Sequence, residues 1–277
     1  MALPKPTLRL TDEQIAFYRR EGYLVLDAVT TVDEVTRLRA AYDRIFADRA
    51  GRETGNQFDL AGPGEQGSEA ALPQILGYAQ YAPEFAETLM LANAKVIAQQ
   101  LFGEQASANN GHAIYKPPRT GAPTPWHQDE AYWNPDFDYF SFSMWVPLQE
   151  ATLENGCMHF VPRSHKLEVL RHQPINNDPR IHGLELHETE HHHLKNIAAC
   201  PLSPGGATIH DSRTLHHTPP NVSDIPRRAV ILGGAAPAKK RATPRRFPWN
   251  EIKKPPRLAR ALAAEARAKA DQPPSEL

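Results

Sequence analysis

A histidine and an aspartate stand two positions apart in the segment PTPWHQDEAYW, residues 123 to 133. Side chains alternate along an extended segment, so His127 and Asp129 point one way while Gln128 points the other. Two imidazoles and one carboxylate bind Fe(II) and leave neighbouring positions open for a cosubstrate and dioxygen. The spacing therefore predicts part of a metal site that needs a second, distant histidine; a hydrogen-bonded surface pair is the alternative.

A second cluster contains further candidate ligands and two arginines. Its sequence, GGATIHDSRTLHHTPPNVSDIPRRAV at residues 205 to 230, includes His210, His216, His217, Arg227 and Arg228. Adjacent residues of a strand face opposite sides, so His216 and His217 do not both point at one metal ion. The cluster supplies candidates for the missing histidine without deciding among them.

Together these segments resemble the phytanoyl-CoA dioxygenase family of Fe(II)- and 2-oxoglutarate-dependent oxygenases. The resemblance runs from about residue 14 to 232 and includes FYRREGYLVLDAVTTVDEVTRLR, KPP, PTPWHQDEAYW, the strand of Trp145, ENGCMHFVPRSHK and LHHTPPNVSDIPRRAV. The family's distal histidine stands five residues before an asparagine, which matches His216 and Asn221. The resemblance thus implies His127, Asp129 and His216 as the catalytic iron ligands, with His217 facing away and His210 a buried neighbour.

The resemblance also implies where 2-oxoglutarate binds. Arg227, eleven residues after His216, matches the arginine that binds the distal carboxylate of the cosubstrate. Thr218 matches a hydroxyl that contacts the same carboxylate, and Trp145 matches an aromatic wall of that pocket. On the first core strand, Asn110 and His112 are expected to share a face, so either of them could add a polar contact, and the sequence does not choose between them.

The reaction implied is hydroxylation of a small-molecule metabolite with release of succinate and CO2, because Asp129 is retained where halogenases lack the metal carboxylate. The predicted walls of the substrate pocket are Trp126, Tyr132, Trp133 and Lys116, the last on the same strand as His112. An anionic substrate is one hypothesis, based on Arg119, Arg163, Arg171 and the histidine-rich residues 187 to 193.

Two other functions remain alternatives. HETEH, residues 187 to 191, satisfies the H-E-x-x-H pattern of zinc hydrolases, which needs His187 and His191 one turn apart on a buried helix. No amphipathic stripe flanks the motif, so a mobile histidine-rich loop over the oxygenase pocket is the expectation. A non-catalytic, cupin-like binding protein is the second alternative, because jelly-roll folds also host such members.

The elements that position these residues begin with a helical front at about residues 11 to 101. Thr11 with Gln14 and Thr31 with Glu34 fit capping boxes, which predict helices over 12–20 and 32–49. The apolar run YLVLD predicts a strand over 23–27. A polar, glycine-rich loop over 51–70 and a third helix over about 83–101 complete this part.

The middle of the chain has a different pattern. ANNGHAIYK, FSFSMWVPLQ, GCMHFVP, GGATIHD and RRAVILGG are short, strand-like segments separated by turn residues. Such spacing favours a sandwich or barrel over alternating βαβ units. We expect a mainly β fold with a jelly-roll core, a cupin-like double-stranded β-helix, over about 106–236, in a single domain of 1–277 with the helical front packed on it.

Composition limits the remaining classes. The chain has 277 residues, 40% of them hydrophobic, and two cysteines, which excludes a disulfide framework and a paired thiolate zinc site. The sequence has neither a signal-peptide pattern nor a long apolar run, so we expect a cytoplasmic location without membrane contact. The oligomeric state is left open.

The C-terminal tail, residues 237–277, is basic. It holds 11 Lys or Arg against 4 Asp or Glu, a balance of +7 that leaves −8 for the rest of a chain with net charge −1. Prolines interrupt the basic residues and few aromatics lie among them, which argues against nucleic-acid binding. A solvated tail with a helix over about 257–270 is the expectation.

Overall fold

A computed structural model describes residues 3–64 and 69–270, with side chains up to residue 268. Residues 65–68 of the predicted loop and 271–277 of the predicted tail therefore lie outside the described residues. The helices are α1 (Asp12–Glu21), α2 (Val32–Ala47), α3 (Leu89–Phe102), α4 (Pro248–Ile252) and α5 (Pro256–Ala270). The strands are β1 (Tyr23–Leu26), β2 (Gln57–Asp59), β3 (Pro73–Leu76), β4 (Ser107–Lys116), β5 (Thr124–His127), β6 (Phe137–Asp138), β7 (Ser141–Pro147), β8 (Met158–Phe160), β9 (His172–Pro174), β10 (Leu184–Leu186), β11 (Ala198–Cys200), β12 (Ala207–Asp211), β13 (His216–Thr218), β14 (Arg227–Ala235) and β15 (Lys239–Lys240). None of the described helices is both long and apolar enough to cross a membrane.

The first two helices begin at N-cap residues, although only one of the two predicted capping boxes forms both of its hydrogen bonds. Thr11 accepts from the backbone of Gln14 at 3.2 Å, and the Gln14 side chain accepts from the backbone of Thr11 at 2.9 Å. Thr31 caps α2, but the Glu34 carboxylate accepts instead from the first backbone N–H groups of α3, at 3.0 Å from Leu89 and 3.3 Å from Met90. An acid at a helix N-terminus is favourable, so Glu34 joins α2 to α3.

The third predicted helix is interrupted. A 3-10 turn at Pro83–Phe85 is followed by irregular residues, and α3 begins only after Thr88, whose hydroxyl accepts from the backbone of Leu91. The predicted start at residue 83 was therefore too early, because Thr88 provides the N-cap. The front also contributes β1, β2 and β3 to the main sheet, so it is not purely helical.

Two antiparallel sheets form the jelly-roll core. The larger has the strand order β1-β12-β7-β14-β4-β3-β2, and the smaller has β11-β8-β13-β5. Side chains on the inner faces of both sheets share one apolar cluster, including Trp145 and Ile231 from the larger and Met158 and Phe160 from the smaller. The outer face of the larger sheet packs against α1, α2 and α3 in a second cluster. The functional residues predicted from the sequence are carried mainly by the inner faces.

A β-bulge at Gly111 divides β4 into two parts with different alternation. Ile231 of β14 pairs with His112, whereas Leu232 pairs with Asn110, so Gly111 is the extra residue. A Cβ atom at Gly111 would lie 2.9 Å from the carbonyl oxygen of Ile231, which is why this position needs glycine. The expectation that Asn110 and His112 share a face is therefore wrong, because it assumed an uninterrupted strand.

Residues 237–270, the described part of the C-terminal tail, pack on the rest of the chain, contrary to the expectation of a solvated segment. Phe247 and Trp249 are buried, and the Trp249 indole donates to the carbonyl of Ala131 at 2.9 Å. In α5, which matches the predicted helix closely, Arg257 lies over the Phe58 ring at 4.7 Å and donates to the carbonyl of Gly55 at 3.0 Å. The high Lys and Arg content concealed these apolar and aromatic contacts.

Gly55 offers a test of how tightly α5 is held. Its φ is +73°, and an added Cβ would lie 2.3 Å from the carbonyl oxygen of Arg257. Gly64 has a similar φ of +67° with no described atom within 4 Å of its added Cβ, so it is the matched control. We expect Gly55→Ala to lower the free energy of unfolding by about 1–3 kcal/mol more than Gly64→Ala, measured by denaturant unfolding. Equal losses would contradict the packing of α5 on this turn.

Candidate active site

The three predicted metal ligands meet between the two sheets. His127 ends β5 and His216 begins β13, and the two residues are direct partners across these neighbouring strands. Asp129 begins a 3-10 turn, Asp129–Tyr132, immediately after β5. One ligand atom from each of the three lies within 4.8 Å of the others. The structure thus brings together the residues that the sequence placed 87 to 89 positions apart.

Backbone carbonyls orient both imidazoles. The Nδ1 atom of His127 lies 2.8 Å from the carbonyl oxygen of Pro125, and Nδ1 of His216 lies 2.9 Å from that of Thr214. A carbonyl only accepts, so Nδ1 carries the proton in each ring and Nε2 is left with its lone pair. Burial also holds the pKa of His216 well below its usual value, which keeps this ring in the neutral form that binds metals.

The free lone pairs face a carboxylate oxygen. Nε2 of His127 and Nε2 of His216 lie 3.6 Å and 3.5 Å from Oδ1 of Asp129. These distances are too long for good hydrogen bonds, and no proton lies between the atoms in this tautomer. Three converging atoms with free lone pairs can hold a cation among them. Two imidazoles and one carboxylate form a ligand set that suits Fe(II).

The other carboxylate oxygen of Asp129 is held by different residues. Oδ2 accepts from the Ser143 hydroxyl at 2.6 Å and lies 3.3 Å from Nε2 of His210. Ser143 and His210 are paired across β7 and β12. These contacts turn Oδ1 toward the two ligand histidines, and they place His210 beside the carboxylate rather than among the candidate ligands. Ser143 was missed because a single serine in a strand gives no sequence signal.

Arg227 is a buried cation in the same cavity. Its side chain is 1% exposed, none of the described carboxylates pairs with it, and its Nε has no hydrogen-bond partner. The guanidinium lies 5.4 Å from the centre of the Trp145 ring. Burial lowers the pKa of Arg227 to about 10, so it stays charged at neutral pH. Because an unpaired buried charge is costly, the site fits an anionic ligand such as the carboxylate of 2-oxoglutarate.

A cavity of about 310 Å³ connects the candidate ligands with Arg227. Among the predicted contacts, it is lined by His112, Thr218, Trp145, Tyr132 and Trp133. Burial lowers the pKa of His112 to about 4, so its imidazole is a neutral hydrogen-bonding group. The structure therefore favours His112 over Asn110 as the polar contact from β4.

Three predicted contacts lie outside the cavity. Asn110 accepts from the Tyr78 hydroxyl and donates to the Phe85 carbonyl, on the helical side of the larger sheet, because of the bulge at Gly111. Trp126 stacks on the His217 ring, with centroids 5.0 Å apart. These two predictions are corrected by the local geometry of their strands.

Lys116 is the third predicted contact outside the cavity. Its ammonium group is buried and donates to backbone carbonyls of Ala122 and Pro219, the latter at 2.8 Å. It therefore ties together the two loops that follow β4 and β13, and it does not form a wall of the substrate pocket.

His182 lines the cavity but was not identified from the sequence. It lies in the loop before β10, between the Phe58 and Tyr132 rings, at centroid distances of 4.8 Å and 6.0 Å. Burial lowers the pKa of His182 to about 3, so its ring is neutral. A lone histidine in a loop has no periodic pattern that would reveal its direction.

Gln128 faces away from the metal candidates, as the alternation predicts. Its side chain donates to the Arg213 carbonyl at 2.8 Å and accepts from the backbone of Leu170 at 2.8 Å, while its own backbone N–H donates to His172. These hydrogen bonds fix the backbone between His127 and Asp129 from the side opposite the cavity.

The HETEH segment does not form a zinc-hydrolase helix. His187 lies before a 3-10 helix, Glu188–His193, in which no residue is buried. A 3-10 helix has three residues per turn, so it does not align positions 187 and 191 on one face. The predicted mobile loop is thus a short surface helix in the structure.

Two of the arginines that suggested an anionic substrate lie elsewhere. Arg119 pairs with Asp224, and Arg163 pairs with Glu21, and neither lines the cavity. Arg228, the neighbour of Arg227, forms an ion pair with Asp43.

The chain is similar in sequence to known dioxygenases. The family model of phytanoyl-CoA dioxygenase (PhyH) matches residues 18–229. A protein named probable alpha-ketoglutarate-dependent hypophosphite dioxygenase, from Stutzerimonas stutzeri, is 27% identical over 229 residues, covering 81% of this chain and 78% of that protein. An ectoine dioxygenase from Sphingopyxis alaskensis is 25% identical over 235 residues, covering 80% and 75%.

A solved structure extends the similarity to the fold. EvdO2 from Micromonospora carbonacea var. aurantiaca, complexed with 2-oxoglutarate, has a TM-score of 0.73 and 36% identity, covering 89% of this chain and 99% of that one. The jelly-roll fold expected from the sequence is confirmed. The enzyme class and the cofactors that the motifs implied, Fe(II), 2-oxoglutarate and O2, agree with these similarities. The chain belongs to the phytanoyl-CoA dioxygenase family.

Proposed function

We propose that the protein is an Fe(II)- and 2-oxoglutarate-dependent dioxygenase that hydroxylates a small molecule and releases succinate and CO2. One cavity carries the proposal because it contains two features. The first is a cluster of two imidazoles and one carboxylate, and the second is the buried guanidinium of Arg227, with which none of the described carboxylates pairs. A zinc hydrolase needs no such guanidinium, and a pure binding protein needs no open metal site.

The chain's own residues would hold the metal on one side. Nε2 of His127, Nε2 of His216 and Oδ1 of Asp129 would be the donor atoms, while the second carboxylate oxygen of Asp129 accepts from the Ser143 hydroxyl. When bound, the iron, 2-oxoglutarate and O2 supply the oxidising power: one oxygen atom enters a C–H bond of the substrate and the other enters succinate.

Arg227 would fix the cosubstrate at the other end of the cavity. Its guanidinium would bind the distal carboxylate of 2-oxoglutarate, and the Trp145 ring lies against the guanidinium. Thr218 and His112 add neutral hydrogen-bonding groups to the wall. The buried position of Arg227 excludes water from this ion pair and strengthens it.

The rest of the cavity supports an uncharged substrate with a ring face. Of the described lining residues, Asp129 and Arg227 are the ones with a fixed charge, and the metal and the cosubstrate neutralise both. The remaining wall includes Leu60, Tyr132 and Trp133, whose apolar and aromatic surfaces suit a planar or alicyclic ring. An anionic substrate, the hypothesis from the sequence, has weaker support because Arg119 and Arg163 are paired elsewhere.

The histidine pair 216 and 217 tests the metal assignment. We expect His216→Ala to weaken Fe(II) binding more than about 100-fold, because it removes a direct ligand. The ring of His217 stacks on Trp126, so His217→Ala should leave Fe(II) affinity unchanged. His187→Ala in the HETEH segment should also leave it unchanged. Anaerobic titration calorimetry measures all three, and equal losses would contradict the assignment.

The neighbouring arginines 227 and 228 test the cosubstrate site. Arg227→Met should raise the half-saturating 2-oxoglutarate concentration by roughly 30-fold or more, since truncating one partner of a buried charge pair costs about 2 kcal/mol or more. Arg228→Met is the control, because Arg228 pairs with Asp43 outside the cavity. Succinate formation is the readout, and parallel changes in both variants would refute the role of Arg227.

The charge class of the substrate is tested by succinate release. Neutral ring compounds and small carboxylates or phosphonates are added separately to enzyme with Fe(II) and 2-oxoglutarate. We expect members of the neutral set to raise succinate release above the substrate-free rate, because the wall offers no second cation. Stimulation by the anions alone would contradict the neutral class.

A further inference from the structure

The 3-10 turn Asp129–Tyr132 carries both a candidate metal ligand and part of the cavity wall. Asp129 faces the metal cluster, and Tyr132 lines the cavity. The turn is short, and its Glu130 backbone N–H donates to the carbonyl of Ser212 at 3.0 Å. Its position therefore depends on contacts from other parts of the chain.

Two side chains from α4 bind the carbonyl group of Ala131 in this turn. The indole Nε1 of Trp249 donates at 2.9 Å, and the amide of Asn250 donates at 2.8 Å. Trp249 is buried and stacks on Phe247, with ring centroids 5.0 Å apart. Both lone pairs of one carbonyl are thus used by residues more than a hundred positions away.

An ion pair holds the adjacent residue of the turn. Nη1 of Arg245 lies 2.6 Å from Oε1 of Glu130, and their side chains are 12% and 2% exposed. The second carboxylate oxygen of Glu130 accepts from the Ser212 hydroxyl at 3.1 Å, just beyond the strand of His210. Arg245 also donates to the Phe137 carbonyl at 2.7 Å, which fixes the direction of its guanidinium.

A fourth side chain, that of Lys253, contacts two residues of the cavity wall. Nζ of Lys253 lies 4.8 Å from the centre of the Tyr132 ring and 3.5 Å from the carbonyl oxygen of His182. Tyr132 and His182 both line the cavity. We name Arg245, Trp249, Asn250 and Lys253 the C-terminal clamp.

We infer that the C-terminal clamp positions Asp129 for metal binding and fixes the adjacent wall of the cavity. The clamp lies beyond residue 229, where the family match ends. Loss of Arg245 leaves the buried carboxylate of Glu130 without its close cation, since the next one, Arg213, is 3.9 Å away and more exposed. An unpaired buried charge is costly, and a displacement of Glu130 that relieves this cost would also displace its neighbour Asp129.

The inference rests on the proposed function, and adjacent arginines give its test. Arg245→Met removes the buried ion pair, whereas Arg246→Met removes an exposed pair with Glu251 and is the matched control. Co(II) alone is the probe: its dissociation constant is measured by visible absorption, and the midpoint of thermal unfolding of the metal-free protein is measured in parallel. We expect Arg245→Met to bind Co(II) about 10–100-fold more weakly and Arg246→Met to match wild type.

Further variants keep the test decisive. Trp249→Phe retains an aromatic ring and removes one donor to Ala131, so it should weaken Co(II) binding and gives a second test if Arg245→Met does not fold. Arg245→Lys retains the charge and should recover part of the affinity. The inference would be overturned if Arg245→Met unfolds at a lower temperature but binds Co(II) as tightly as wild type. If only Trp249→Phe folds, the same result in that variant would overturn it. Either result would leave the proposed function standing. Absence of Co(II) binding by wild type would overturn both.

Discussion

The pairing of His127 with His216 across β5 and β13 is the constraint on which the rest of the site depends. Strand pairing fixes the distance between the two backbones, and the hydrogen bonds from Nδ1 to backbone carbonyls fix the direction of both rings. The carboxylate of Asp129 then needs only to enter from the next turn. Two imidazoles held in this way give two of the three candidate ligands a fixed geometry before any metal binds.

The two faces of the larger sheet divide stability from chemistry. Its outer face packs on the front helices, and its inner face carries Trp145, His210 and Arg227. The bulge at Gly111 preserves this division by sending Asn110 to the helices and His112 to the cavity. A strand without the bulge would place both residues on one side.

The candidate triad and Arg227 could be predicted because the family resemblance assigns each of them to a short local motif. The His-x-Asp segment is visible as a pattern by itself, whereas the residues alone left His210, His216 and His217 open as the third ligand. The contribution of Ser143 depends on strand pairing over a long sequence separation, which no local pattern encodes. The choice between Asn110 and His112 stayed open for a similar reason, since a bulge depends on the partner strand.

The fold class could be predicted from the turn residues and short apolar segments, but the packing of the C-terminal tail could not. Phe247 and Trp249 stand among lysines, arginines and prolines, so composition indicated solvent rather than burial. The Trp249 indole donates to Ala131 in the turn of the candidate ligand Asp129, and Phe247 and Trp249 stack on each other, so burial of this segment depends on contacts that composition does not reveal. The tail therefore links the end of the chain to the residue beside the candidate metal ligand.

Anomalous diffraction at the iron edge tests the central claim most directly. Crystals grown without oxygen in the presence of Fe(II) and 2-oxoglutarate should give one strong peak about 2.1 Å from the donor atoms of His127, Asp129 and His216. They should also show a cosubstrate carboxylate on Arg227. A peak confined to the surface group Glu190, His192 and His193, with none between the two sheets, would contradict the account.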